Sequence, residues 1–300
     1  MKNRACISIN ARCNLTCNYC HFGKKVNTLN WREFEMSKED IKLILSNVST
    51  YIKDNNVKEF KIGLVGSGEP LLSFGAIQEA VLFAANDNQK IKLYTITNGT
   101  TLNKKQIKFF HKFKDIIDLN FSLDGPKDIH EVVRKNYNKT FKNIIEYERL
   151  FGHKPTINSV VTRLTIKEQE RVVNYFLENG FKNVNFSIVF GDYIEGVSIT
   201  NEEYYNFLKY CKEKGLNMRQ MVNTKKYDCT KYGNLCAVGR NNIYITKKGV
   251  FPCGRFQNLN KYLIGQFDSP LKEIELIMKK FLNPNPSKCY YEMLQENNKL

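Results

Sequence analysis

The chain has 300 residues, 42% hydrophobic and 12% aromatic, enough to bury a large core; with 17 Gly and 7 Pro it is neither a staple-dependent mini-protein nor a disordered chain. Lys and Arg number 46 against 30 Asp and Glu, a net charge of +16 that admits nucleic acid, an acidic peptide or plain solubility without choosing among them. Nine cysteines in a chain with no secretory apolar segment and no membrane-length apolar run indicate a soluble cytoplasmic protein whose thiols stay reduced unless they bind metal or react.

From Cys6 to Val189 short apolar runs alternate with longer amphipathic stretches, the pattern of strand-helix units in a parallel sheet. Strands are expected at Cys6–Asn10, Phe60–Val65, Ile91–Thr97, Ile117–Leu123, Thr156–Val161 and Val184–Val189. Between them fall helices at Lys38–Lys53 (capped by Ser37), Ser73–Ala85, Lys104–Lys114, Thr140–Leu150 and Thr165–Glu178, the last closed by Gly180. Six such units make an α/β fold with a partial (β/α)6 barrel, shorter than the eight-fold version. A polar loop over 191–198 and a helix at Glu202–Gly215 follow, and then a segment with four cysteines and a hairpin, Ile243–Thr246 to Val250–Pro252. The expected division is a barrel over 1–221 and a small second domain over 222–300, which holds 13 Lys and Arg against 6 Asp and Glu.

The cysteines sort into groups. Cys13, Cys17 and Cys20 form C-x3-C-x2-C directly after the first strand, in a loop too short and Asn-rich for a helix. Structural zinc wants four ligands and would have to recruit His21 or a distant thiol; a cubane iron-sulfur cluster on three thiolates leaves one iron open. The spacing favours iron-sulfur and leaves zinc as the alternative. Cys229, Cys236, Cys253 and Cys289 form a second group around the hairpin, which four-thiolate zinc would also fit. Cys6 and Cys211, in a strand and a helix, read as small core residues. Gly66-Ser67-Gly68-Glu69-Pro70 ends the second strand; it is not a dinucleotide fingerprint, because the third glycine position is Leu71. Ser122-Leu123-Asp124-Gly125-Pro126, with His130 and Arg134 beyond it, ends the fourth. Met singly, these and Thr97-Asn98-Gly99 are ordinary turns. Together they all fall on the strand-end face where barrels build their sites.

With an aromatic before its last cysteine and these strand-end motifs in register, the chain resembles the radical S-adenosylmethionine (SAM) superfamily, specifically the branch with a C-terminal SPASM or twitch domain. The resemblance implies a 4Fe-4S cluster on Cys13, Cys17 and Cys20, whose open iron binds SAM and whose electron, drawn from a donor such as flavodoxin or ferredoxin, cleaves it to a 5′-deoxyadenosyl radical. It implies that backbone carbonyls of the Ser67-Gly68-Glu69 strap hold the methionine amino group. Tyr19, flanked by cysteines, is placed to lie against adenine or to serve as lid packing, Ser122 and Asp124 are placed to meet ribose or carboxylate, and the Arg134 guanidinium suits the carboxylate. It further implies a second, auxiliary 4Fe-4S cluster on Cys229, Cys236, Cys253 and Cys289. With four thiolates and no open iron, that cluster would carry electrons rather than bind substrate, which suits a net oxidation.

Sulfatase-maturating relatives carry an Asp base directly after the third auxiliary cysteine; here Gly254 and Arg255 follow Cys253, which speaks against that activity. Asp192 and Glu195 are the alternative bases. The expected substrate is a peptide or protein, undergoing crosslinking or oxidation. The alternatives are an amino sugar or aminocyclitol, an RNA (although no RNA-binding module or basic-aromatic motif is present), and a non-enzymatic zinc protein.

Overall fold

The computed structural model describes residues 2–20, 22, 31–87, 90–191, 193–221 and 226–300. Six parallel strands lie side by side in chain order: β1 (Arg4–Ser8), β2 (Phe60–Val65), β3 (Ile91–Thr97), β4 (Ile117–Ser122), β5 (Ile157–Val161) and β6 (Val184–Ile188). The connections carry α1 (Lys38–Asp54), α2 (Phe74–Asn86), α3 (Lys104–Lys112), α4 (Lys127–Val133), α5 (Tyr137–Phe151), α6 (Arg163–Lys167) and α7 (Gln169–Glu178), and α8 (Asn201–Glu213) follows β6. This is the expected α/β partial barrel. α1 begins in a capping box in which Ser37 and Asp40 satisfy each other's backbone N–H groups.

Three helices differ from expectation. Ser73 makes no side-chain cap for α2, which instead follows a 3-10 turn over Pro70–Ser73 capped by Glu69. α5 starts at Tyr137 because the Glu131 carboxylate, five residues before Asn136, accepts from the N–H groups of Asn136 and Tyr137. The helix expected over Thr165–Glu178 is two helices, divided at Glu168 after a capping box between Thr162 and Thr165.

The second departure is in the sheet. After the two-residue strands β7 (Tyr227–Asp228) and β8 (Leu235–Cys236), the hairpin β9 (Asn242–Thr246) and β10 (Gly249–Phe251) adds to β1, with β9 parallel to it from Arg4↔Asn242 to Ile7↔Ile245. Among the described residues the main sheet therefore has eight strands, in the order β10-β9-β1-β2-β3-β4-β5-β6. Two further helices, α9 (Leu271–Met278) and α10 (Tyr290–Glu296), complete the C-terminal segment, which has its own apolar cluster of Val238, Phe251, Phe256 and Tyr262.

Strand alternation sets what faces the barrel interior. On β1, Ala5 and Ile7 are buried in the core under the helices, while Arg4 and Cys6 line an interior cavity. Cys6 is thus not the core residue expected; its Sγ lies 3.4 Å from the Tyr94 hydroxyl. Cys211 is fully buried, as expected. Among the described residues no helix is long and apolar enough to cross a membrane.

Candidate active site

The loop with Cys13, Cys17 and Cys20 leaves β1 at the strand-end face and is held there by the strap after β2. The Glu69 N–H donates to the Arg12 carbonyl at 2.6 Å. The approach requires glycine at Gly68: a Cβ there would lie 1.9 Å from the Arg12 carbonyl oxygen. Asn10 donates to the Glu69 carbonyl (3.0 Å) and to Ser73 Oγ (2.9 Å), and Arg12 pairs with Glu35 at 2.5 Å. The Glu69 carboxylate turns inward, accepting from Leu71 N–H (3.1 Å), Thr97 Oγ1 (2.7 Å) and Asn98 N–H (2.8 Å). Burial pushes its pKa up, against these three donors. Glu69 therefore braces the ends of β2 and β3 together, and Thr97 and Asn98, read from sequence as an ordinary loop, are its partners. Ser67 Oγ reaches Gln257 Oε1 at 3.4 Å, joining the strap to the C-terminal segment.

Within the cysteine loop, Asn14 donates to Thr100 Oγ1 and accepts from Asn98, and the Asn18 N–H donates to the Val133 carbonyl at 3.0 Å. Cys13 is exposed; Cys17 and Cys20 are half-buried. The three thiols lie within electrostatic range of one another. Burial raises the Cys13 pKa and pushes Cys17 up to about 11, so these thiols hold their protons until a positive metal centre displaces them. Among the described residues no set of three or more His, Cys, Asp or Glu is drawn in tightly enough to hold a single ion. His21, one of the two extra ligands zinc could recruit, lies outside the described residues. Three thiols on one short loop, within electrostatic range of one another, are the donor set that a cubane cluster takes.

Beside this loop is a clamp built on Asp124, which is fully buried at the end of β4. One carboxylate oxygen accepts from the Tyr19 hydroxyl (2.8 Å) and Arg134 Nε (2.9 Å); the other accepts from the Val160 N–H (2.9 Å). The Arg134 guanidinium lies 5.4 Å from the centre of the Tyr19 ring. The Arg134 guanidinium holds the Asp124 carboxyl below its ordinary pKa despite burial. His130 Nδ1 accepts the Asp124 N–H at 3.2 Å, which assigns the ring proton to Nε2, 3.2 Å from the Lys135 carbonyl. Burial lowers the His130 pKa, consistent with a neutral ring. Ser122, the last residue of β4, is buried close by. Tyr19, Asp124 and Arg134 thus come together, with both Asp124 oxygens engaged by protein groups.

Cys229, Cys236, Cys253 and Cys289 also come together, on the wall of a cavity of about 690 Å³ inside the barrel. Burial pushes Cys229 up to about 11 and Cys253 to about 12, and raises Cys289. Gly254 packs on Tyr244, where a Cβ would lie 3.0 Å from the ring; Arg255 follows with its guanidinium against Cys289. Of the expected bases, Glu195 is exposed in a turn rather than on the cavity wall, and Asp192 lies outside the described residues. Sequence reasoning missed the rest of the cavity lining, above all Asn120, Asn158 and Asn185 from β4, β5 and β6. The signal was present: a polar residue at every second position of a parallel strand otherwise buried on both faces.

A model of the Radical SAM superfamily matches residues 7–176. The cysteine-type anaerobic sulfatase-maturating enzyme of Clostridium perfringens is 27% identical over 293 residues, covering 87% of this chain and 76% of that protein. An uncharacterized protein of Methanocaldococcus jannaschii is 28% identical over 277 residues, covering 85% of this chain and 89% of that protein. Among solved structures, anSMEcpe with bound AdoMet and the Cp18Cys peptide aligns with a TM-score of 0.75 at 22% identity, over 93% of this chain and 82% of that one. Streptococcus suis SuiB bound to precursor peptide SuiA aligns with a TM-score of 0.67 at 17% identity, over 95% of this chain and 65% of that one. The fold, the position of the cysteine loop and the family match agree: this chain belongs to the radical SAM superfamily and is a radical SAM enzyme.

Proposed function

We propose that this enzyme oxidises a peptide or protein segment seated in the barrel cavity, using a SAM-binding cluster on Cys13, Cys17 and Cys20 and one auxiliary 4Fe-4S cluster on Cys229, Cys236, Cys253 and Cys289 of a C-terminal domain spanning 222–300. When bound, the first cluster and SAM supply the 5′-deoxyadenosyl radical chemistry of the superfamily. The chain's part is placement and shielding. Asp124 fixes the Tyr19 ring as a cover over the cysteine loop and orients Arg134, whose guanidinium suits the SAM carboxylate. The backbone of Ser67, Gly68 and Glu69 would hold the methionine end, and Ser122 would meet the ribose. The one-electron donor is a flavodoxin- or ferredoxin-type protein, and the setting is the reducing cytoplasm.

The observation that carries the substrate reading is the carboxamide wall. Asn120, Asn158 and Asn185 line the cavity from three adjacent strands, and Asn185 Nδ2 reaches Asn158 Oδ1 at 3.4 Å. A carboxamide matches both the N–H and the C=O of a peptide group, so three of them on adjacent strands suit a peptide backbone laid across the cavity. The C. perfringens relative is named as a sulfatase-maturating enzyme, and the anSMEcpe and SuiB structures are peptide complexes, which supports a peptide here. Sulfatase maturation itself is not proposed, because Gly254 fills the position of that base against Tyr244.

The test uses reduced enzyme, SAM and a synthetic peptide library, read by mass spectrometry. Wild type forms product lighter by two hydrogens, with one 5′-deoxyadenosine per modification. Asn158→Leu keeps cleaving SAM but loses about tenfold or more of peptide product, as expected for loss of a buried hydrogen bond worth about 1.4 kcal/mol. Oxidation of an aminocyclitol with no modified peptide overturns the reading.

A further inference from the structure

We propose that Arg255 is a positioning residue that raises the reduction potential of the auxiliary cluster, so that it accepts the electron a substrate radical releases. The inference rests on the reading that Cys229, Cys236, Cys253 and Cys289 hold that cluster. The oxidation balances as follows: hydrogen-atom abstraction leaves a carbon radical, which loses one electron to the oxidised cluster and one proton to water, leaving the substrate short of two hydrogens.

Three side chains form a linked ion network beside the cysteines. Arg255 Nη1 donates to Cys289 Sγ at 3.4 Å and to Glu292 Oε1 at 3.1 Å. The guanidinium packs against two aromatic rings, 4.4 Å from the centre of Phe190 and 5.5 Å from that of Tyr291. Glu292 is shared: the nearly fully buried Lys231 also pairs with it, Nζ to Oε1 at 3.0 Å, and is anchored by Asn201 Oδ1 at 2.7 Å. One carboxylate between two cations leaves a net positive charge against a cysteine ligand. The aromatic cover and the burial of Lys231 keep water and salt from screening it.

An N–H bond to a ligand sulfur and a nearby positive charge both favour the more negative, reduced state of an iron-sulfur cluster, and so raise its potential. The position is tied to the barrel as well, because Asn201 opens α8 and the Tyr204 hydroxyl donates to the Lys231 carbonyl at 3.1 Å. Arg255 is thus held from both sides. In the C-terminal segment it follows Cys253 within a 3-10 turn, and through Glu292 and Lys231 it is linked to α8.

The experiment is an anaerobic potentiometric titration of the reconstituted full chain, followed by electron paramagnetic resonance, for wild type, Arg255→Gln, Arg255→Lys and Glu292→Gln. Arg255→Gln lowers the auxiliary midpoint, raising the oxidised-to-reduced ratio at a fixed potential about tenfold, or about 59 mV for a one-electron couple. Arg255→Lys recovers part of the shift. Glu292→Gln moves the midpoint the opposite way, because it removes the anion that offsets Arg255 and Lys231. The SAM-binding cluster stays unshifted in all three. Wild type with about eight irons whose midpoints do not move, or move in one direction for both Arg255→Gln and Glu292→Gln, overturns the role of Arg255 alone. Wild type with about four irons overturns the auxiliary cluster and this inference together. If Arg255→Gln fails to hold its cluster, Arg255→Lys and Glu292→Gln decide by the sign of their shifts.

Discussion

Alanine at Cys13, Cys17 or Cys20 abolishes reductive cleavage of SAM, bringing 5′-deoxyadenosine to the level of a cluster-free control, and lowers iron from about eight to about four per chain. The loss is complete rather than graded because a cubane on three thiolates has no spare protein ligand, and a third ligand lost frees a second iron to water. Stability changes little by comparison. Cys13 is exposed and Cys17 and Cys20 are half-buried, so no deep cavity opens. The loop stays anchored by Asn14, by the Asn18 N–H and by the strap through Glu69. Chromatography and circular dichroism of each variant, beside a chromatographic assay for 5′-deoxyadenosine, separate loss of the cluster from loss of the fold. Any of the three variants that still cleaves SAM at the wild-type rate removes that cysteine from the cluster.

Asp124→Ala acts the other way round, through stability first. It strips the counter-ion from the buried Arg134 and leaves the Tyr19 hydroxyl and the Val160 N–H without their acceptor. Breaking a buried ion pair from one side costs about 3–5 kcal/mol. The urea midpoint therefore falls with little change in slope. SAM affinity falls too, because Tyr19 and Arg134 lose their orientation. Asp124→Asn keeps an acceptor and loses the charge, so it lies between wild type and Asp124→Ala in both measurements. If Asp124 instead touched ribose directly, Asp124→Ala would weaken SAM binding and leave the urea midpoint in place. The pH dependence has a defined sign. The folded-state pKa of Asp124 lies below the ordinary 3.8, so its contribution is present above that value and is lost as pH falls through the lowered one.

Much of the fold and of the site is legible in the sequence, because the informative features are local. A cysteine loop after the first strand, glycine-bearing turns after the second and fourth, and alternating strands and helices each depend on a few neighbouring residues. What was not legible depended on residues far apart in the chain. Nothing near Asn242 signals that β9 pairs with β1, since the register is fixed by a strand more than two hundred residues earlier. The same distance hid the roles of the motif acids. Asp124 was expected to meet ribose or carboxylate, and Glu69 was expected to act only through its backbone carbonyl; the two carboxylates turn inward, to Arg134, Tyr19 and Val160 in one case and to Leu71, Thr97 and Asn98 in the other. A motif records that a carboxylate is required at a position, not which way it turns.

Cys6 and the three asparagines of the cavity illustrate a different limit. A parallel strand is buried on both faces, so a small or polar residue on its inner face reads as packing unless the interior is hollow. Here it is hollow, and the inner faces of β1 and β4–β6 carry Arg4, Cys6, Asn120, Asn158 and Asn185 into it. The network of Arg255, Glu292 and Lys231 spans three separate parts of the C-terminal segment and is visible only once they are folded together.

In the proposed function the two cysteine groups hold two iron-sulfur clusters. Metal and labile-sulfide analysis of protein purified without oxygen tests it most directly. The expected result is about eight irons and about eight sulfides per chain, falling to about four of each when Cys229 and Cys253 are both replaced by alanine. Stoichiometric zinc with no labile sulfide contradicts it.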